Sequence, residues 1–222
     1  MTDNNNPGRR KALKGVAAVG TFGTISTIGA MGASASLPAA AQGTPARTTP
    51  RVLSATETAT LEAICARLIP GDAESPGARE ARAAEYIDRS LADFLAGSRK
   101  AYAAGLAAVE AYAKSAKGAA FTALAPADQD ELLSAMEKNA AKGFTPNSAA
   151  FFNLVRNHTI QGTFCDPAYG GNASFVGWDM IGYPGLRMAV APEEQRMSVK
   201  PKPSRASAYV DANFSKGSNH GH

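Results

Sequence analysis

The sequence predicts a mainly α-helical chain: a single small helical domain of about five helices, with a Gly/aromatic-rich C-terminal loop and an extended tail. Three observations predict it. Apolar residues recur every three or four positions in successive segments across residues 54–164, which is the period of a half-buried helix. No stretch of useful length alternates apolar and polar residues with period two, as a strand would. The segments are also rich in alanine, the strongest helix former, which favours helix but supplies little side-chain packing.

Each element has its own signals. Ser54 followed by Glu57 is a capping box, in which each side chain satisfies a backbone N–H that the first turn leaves unpaired. Leu61, Ile64, Cys65, Leu68 and Ile69 then mark one face, and Pro70-Gly71 ends the helix. A polar turn over 71–77 leads to a second helix over about 79–96, with Tyr86, Ile87, Leu91, Phe94 and Leu95 at helical spacing. Ser98 can cap a third, carrying Tyr102, Leu106, Val109 and Tyr112 and stopping at Gly118. A fourth opens at Pro126, a residue suited to a first turn, and buries Leu132, Leu133 and Met136. A fifth opens at Thr145-Pro146 and carries Phe151, Phe152, Leu154, Val155 and His158. The domain therefore spans 54–187, behind a Thr/Pro linker at 42–53.

Residues 1–41 belong to a different class. Arg9-Arg10-Lys11 and Lys14 precede an apolar run over 16–33 that Gly20, Gly23, Gly29, Gly32 and four hydroxyl residues soften. Pro38 and Ala39-Ala40-Ala41 close it with an A-x-A pattern. A basic region, a modest apolar core and a small-residue exit make an export signal. The paired Arg9 and Arg10, with Leu13 and Lys14, give it the twin-arginine form, with Gly8 and Ala12 standing where Ser and Phe are usual. The competing reading is a membrane anchor, but the run is short and Gly-rich against the about 20 mainly apolar residues a span requires.

Without residues 1–41 the chain keeps 19 basic and 18 acidic residues. The pI near 9.1 thus reflects mainly the signal. No basic stripe remains of the kind nucleic-acid binding rests on. Cys65 and Cys165 are an even pair, and in an oxidising compartment they are a disulfide candidate. A bridge closing a loop of about 100 residues could contribute roughly 4–5 kcal/mol. Either cysteine could instead be a buried small hydrophobe or pair with another chain.

Chemistry-bearing motifs are sparse. There is no HExxH, no Gly-x-Ser-x-Gly and no dinucleotide-binding glycine pattern. His158 is the one histidine of the helical part, on or beside an apolar face, where a hydrogen-bonded structural role is usual. Joined to Asp166 or Tyr169 it could form an acid–base group, if the loop folded back. The tail over 188–222 is polar and Pro-containing and ends in His220 and His222. It cannot fold alone, and is either disordered or held extended on another protein.

The most distinctive stretch covers 164–185, with five aromatics and five glycines in 22 residues and no Lys, Arg, Glu or His. Here, and in the run Leu61-Glu62-Ala63-Ile64-Cys65-Ala66-Arg67-Leu68-Ile69-Pro70, the chain is similar to the gluconate 2-dehydrogenase subunit 3 family. Pro76-Gly77-Ala78-Arg79-Glu80-Ala81 and Tyr86-Ile87-Asp88 continue the resemblance. His158-Thr159, Asp166-Pro167, Tyr169-Gly170-Gly171-Asn172, Val176-Gly177-Trp178 and Gly182-Tyr183-Pro184-Gly185 close it. The resemblance covers about 54–185.

The resemblance implies a non-catalytic small subunit of a periplasmic, membrane-associated oxidoreductase, with no cofactor of its own. Its partners would be a large flavoprotein subunit that holds FAD and a multihaem cytochrome c subunit that passes electrons to quinone. Membrane contact would be indirect, through that complex at the inner membrane. The small subunit would carry the export signal and support maturation of the flavoprotein. Tyr169, Phe175, Trp178 and Tyr183 are then docking anchors of the kind interfaces favour. Two other readings of the loop and chain stay open. The loop could be a lid completing its own core, and the chain could be a small enzyme or binding protein using His158 with Asp166 or Tyr169.

Overall fold

A computed structural model describes residues 51–72 and 74–209. Arg9 and Arg10, the export signal, most of the linker and His220 and His222 lie outside the described residues. Six α-helices make up the described part: α1 (Ala55–Leu68), α2 (Ala83–Leu91), α3 (Arg99–Lys117), α4 (Pro126–Glu137), α5 (Ser148–Phe164) and α6 (Val176–Ile181). Short 3₁₀ turns join them, and no strand occurs among the described residues. No described helix is long and apolar enough to cross a membrane.

The capping box forms as predicted: the Glu57 carboxylate accepts from the Ser54 N–H at 2.9 Å, and the Glu57 N–H donates to Ser54 Oγ at 3.3 Å. Such caps contribute about 1 kcal/mol. Upstream of the cap, the buried Asp88 carboxylate on α2 accepts from the N–H groups of Val52 and Leu53, at 2.9 and 2.8 Å. This ties the end of the linker to the helical body.

Four starts and stops differ from the sequence expectation. Helix α2 begins only at Ala83, because Arg82 sits in the left-handed region (φ 57°) and 79–82 form a turn. It ends at Leu91, which releases Phe94 from the buried face and leaves it 58% exposed. Ser98 precedes α3, but its side chain makes no capping bond. The start of α5 is set by Asn147, whose Oδ1 accepts from the Ala150 N–H at 2.9 Å, rather than by Thr145-Pro146.

Helix α5 is the axis of the domain and packs on all five other helices. Its buried Phe151, Phe152 and Val155 meet Leu61 and Ile64 of α1, Ile87 and Leu91 of α2, Tyr102, Leu106 and Val109 of α3, and Leu132 and Met136 of α4 in one core. Small residues allow the close crossings. On α3, Gly105 faces the Phe151 ring. On α5, Gly162 lies where an added Cβ would be 2.8 Å from Tyr86 Cδ1 and 3.0 Å from Ala83 Cα of α2. Polar ties at the rim are fewer. Arg67 grips Asp130 with two bonds of 2.7 and 2.5 Å, joining α1 to α4. Lys117 reaches Asp128 and Glu131 at 2.9 and 2.6 Å, joining α3 to α4.

The crossing at Gly105 is testable by thermal unfolding followed by circular dichroism. Gly105→Ala would gain about 1 kcal/mol of helix propensity, yet the overpacked ring costs typically about 1–3 kcal/mol or more. Its midpoint falls by several degrees. Gly97→Ala, with no atom within 4 Å of an added Cβ, does not lower it; equal drops would contradict the close approach of α3 and α5.

Candidate partner-docking site

The distinctive 164–185 loop is built on the last turn of α5. A helix end leaves its final carbonyls unpaired, and here the loop supplies their partners. The Asn172 N–H donates to the Gly162 carbonyl at 2.8 Å. The Trp178 indole Nε1–H donates to the Phe164 carbonyl at 3.0 Å, and Asn172 Nδ2 donates to the Cys165 carbonyl at 2.8 Å. Asn172 Oδ1 then accepts from the Gly177 N–H at 2.7 Å, at the start of α6. Asn172 is fully buried. One side chain thus ends α5 and begins α6.

Two glycines are required for this contact. A Cβ at Gly171 would collide with the Gly162 carbonyl, and one at Gly177 with the Thr163 carbonyl. Between them the backbone is strained. Asn172, Ser174 and Phe175 all take positive φ, at 43, 54 and 63°. Left-handed backbone costs roughly 1–2 kcal/mol for a residue other than glycine, and is unusual for one as bulky as Phe. The bonds of Asn172 offset that cost.

The four aromatics placed together by the sequence reading separate into two pairs. Trp178 is only 7% exposed and packs within this chain. Phe175, half-buried, packs against it at 5.3 Å between ring centroids. Tyr183 stands edge-on to Trp178 at 4.8 Å, yet stays 45% exposed, as does Tyr169. Around Tyr183, α6 presents Met180 and Ile181 to solvent, the latter 61% exposed. Neither residue was singled out in the sequence, because a six-residue helix is too short to show a period.

A second apolar feature lies on the other side of Tyr169. An open groove of about 600 Å³ runs between α2 and α5. Tyr86 and the exposed Phe94 form one wall, Ile160, Gln161 and Phe164 the other, and Cys165 and Tyr169 its end. Ile160 falls outside the Phe151–Val155–His158 stripe and is 45% exposed, a signal that was readable from its register.

Over 204–209 the described part of the tail lies on this chain's own loop. Ser204 N–H donates to the Pro184 carbonyl at 2.6 Å, and Leu186 N–H to the Ala206 carbonyl at 3.3 Å. Asp166 accepts from Ser207 Oγ at 2.6 Å and from the Ala208 N–H at 3.1 Å. Arg205 reaches Asp179 at 2.7 Å. The Tyr169 and Tyr209 hydroxyls bond each other, which pushes Tyr169 up to about 12.

The side chains of His158, Asp166 and Tyr169 are each bonded to a different partner. His158 Nδ1 bonds the Tyr102 hydroxyl at 2.9 Å inside the core, and the two rings stack. Asp166 holds the tail, and Tyr169 holds Tyr209. Cys65 and Cys165 are unbridged in this structure. Cys65 sits against Thr159 Oγ1 at 3.3 Å, while Cys165 donates weakly to the Gly162 carbonyl at 3.7 Å. Burial pushes the two thiols up to about 12 and about 11, so both are protonated and poorly nucleophilic at neutral pH. Among the described residues, no group of three or more His, Cys, Asp and Glu could hold a metal ion.

Two stability measurements follow. Asn172→Ala strips buried partners from Gly177 N–H and the Cys165 carbonyl; each such loss costs about 1–3 kcal/mol, so urea unfolding should show at least about 2 kcal/mol lost. A smaller loss would contradict the clamp. Burial lowers the affinity of His158 for a proton. Its contribution is therefore fully present above the unfolded value of about 6.5 and lost as pH falls toward the lower folded value. His158→Gln should flatten the stability profile between about pH 7 and 5.5, where the slope from one group is at most about 1.4 kcal/mol per pH unit. An unchanged slope would place the pH dependence elsewhere.

A family model described as gluconate 2-dehydrogenase subunit 3 matches residues 55–185. The match covers more than half of the chain, from the first residue of α1 to Gly185 beyond α6. No curated protein and no solved structure matches. The helical body and the clamped loop fall together inside the matched region, and the chain belongs to the gluconate 2-dehydrogenase subunit 3 family, by its name one subunit of a multi-subunit dehydrogenase.

Proposed function

We propose that this chain is the non-catalytic small subunit of a periplasmic, membrane-associated FAD-dependent oxidoreductase of the gluconate 2-dehydrogenase type. It is exported by the twin-arginine route through Arg9 and Arg10, and it supports export, maturation and stability of the large flavoprotein subunit. FAD belongs to that large subunit. Haem c belongs to a cytochrome subunit that carries electrons onward, and contact with the inner membrane is made through the complex.

The observation that carries this reading is the exposed apolar face of Met180, Ile181 and Tyr183 on a loop held rigid by Asn172. Interfaces concentrate their energy in a few large anchors, and anchors ordered before binding lose less entropy on docking. The loop's backbone strain fits the same role, since strain persists where surrounding structure over-determines it. The competing reading, an enzyme of its own, needs His158 with Asp166 or Tyr169, and each of these is bonded to a different partner.

Co-expression with the flavoprotein tests the proposal. The wild-type subunit should co-purify with a stoichiometric large chain showing flavin absorbance. Ile181→Asp and Tyr183→Ala should weaken the pairing at least about tenfold, as hot-spot loss does, with the melting point of the free Ile181→Asp subunit unchanged. Trp178→Ala should lower the melting point of the free subunit itself. A colourless, solitary wild-type chain after gentle extraction would sink the accessory role; full pairing by both surface variants would move the docking face elsewhere.

A further inference from the structure

The exposed apolar surface of α6 continues past Tyr183. Residues 187–203 form one loop, closed at its base where Ser204 N–H donates to the Pro184 carbonyl and Leu186 N–H to the Ala206 carbonyl. Beside that base Arg205 bonds Asp179 of α6, so loop and helix share one footing. The loop's own ties are polar: Arg187 pairs with Glu194 at 2.5 Å, and short turns close at Glu194 and Val199. From 188 to 203 only Glu194 is partly shielded from solvent. Met188, Val190 and Val199 stay exposed, and Met197 is fully so. Among the described methionines Met136 is a core residue, whereas Met180, Met188 and Met197 all face solvent within this one stretch. Methionine is flexible and polarizable, and is over-used on surfaces that grip other proteins.

Area and charge say what covers the loop. A large side chain carries roughly 200 Å², so at their exposures Met180, Ile181 and Tyr183 offer together roughly 300 Å². A standard interface needs about 800 Å² per partner. On the same scale of roughly 200 Å² each, the four apolar side chains of the loop add roughly 500 Å², which closes the gap. Arg196 and Lys200 are exposed with no ion pair among the described residues, Lys202 lies near Glu194, and Glu193 is exposed beside them. Three cations facing two acids fall short of the roughly four to eight clustered Lys and Arg that hold an anionic bilayer. They suit the polar rim of a protein interface. We infer that the 187–203 loop is a second docking arm for the large flavoprotein subunit, laying Met188 and Met197 on an apolar shelf whose acidic rim meets Arg196 and Lys200. This inference rests on the accessory-subunit reading above and extends the docking face from α6 along the tail.

The experiment compares peroxide oxidation of individual methionines, read by peptide mass spectrometry, in the free subunit and in its co-purified complex with the flavoprotein. An arm engaged nine-tenths of the time slows oxidation about tenfold. Met188 and Met197 should therefore oxidise about tenfold more slowly in the complex, with Met136 slow in both. The double variant Met188→Ser with Met197→Ser should pair at least about tenfold more weakly, with an unchanged melting point, and Met→Leu at both positions should restore pairing. Met188 and Met197 left unprotected in a complex that holds the flavoprotein overturn the arm and leave the accessory role standing, as does full pairing by the serine variant. A wild-type chain that pairs with no flavoprotein overturns both. Protection conferred by phosphatidylglycerol vesicles and not by the flavoprotein overturns the arm in favour of a lipid surface. Protection of the free subunit that grows with its concentration overturns it in favour of a second copy.

Discussion

The last turn of α5 is the constraint on which the rest depends. Its carbonyls at Gly162, Phe164 and Cys165 would be orphaned where the helix stops, and all three are taken up by Asn172 and Trp178. The arrangement requires backbone against backbone, which is why Gly171 and Gly177 admit no Cβ. At the same turn Gly162 lets α2 approach. One helical turn therefore joins the helical body on one side and the loop on the other. Losing the clamp would expose buried polar groups rather than merely loosen a surface segment, because unmade bonds are costly in a low-dielectric interior.

Much of the fold was legible because its helices bury a single stripe. The positions in α1, α3, α4 and α5 chosen by period are nearly all core residues. The failures have local causes. Phe94 carried the right spacing, but α2 ended before it, and spacing cannot see a helix that stops early. The 79–82 stretch looks helical in composition, yet Arg82 adopts a left-handed backbone that no residue type announces. Helix α6 lasts under two turns, too short for periodicity to register.

The candidate site was half legible. Composition located the loop but not its internal division. An aromatic cluster looks the same in sequence whether it faces inward or outward, and only the hydrogen bond from Trp178 to Phe164 and its burial separate Trp178 from Tyr183. Asp166, an apparent acid–base candidate in the sequence, is one of the groups that hold residues 204–209 of the tail. His158 and Cys65, the groups with nominal reactivity, are instead packed on Tyr102 and Thr159.

The most direct test of this account is native-state hydrogen exchange resolved to single amides of the loop. Asn172 N–H, bonded to the Gly162 carbonyl, and Gly177 N–H, bonded to Asn172 Oδ1, belong to the same cooperative unit as α5 in this account. Opening energies within such a unit are shared. The two amides should therefore exchange as slowly as those in the middle of α5 and respond in parallel to added denaturant. Exchange of Asn172 and Gly177 at the rate of open surface amides, while α5 stays protected, would contradict it.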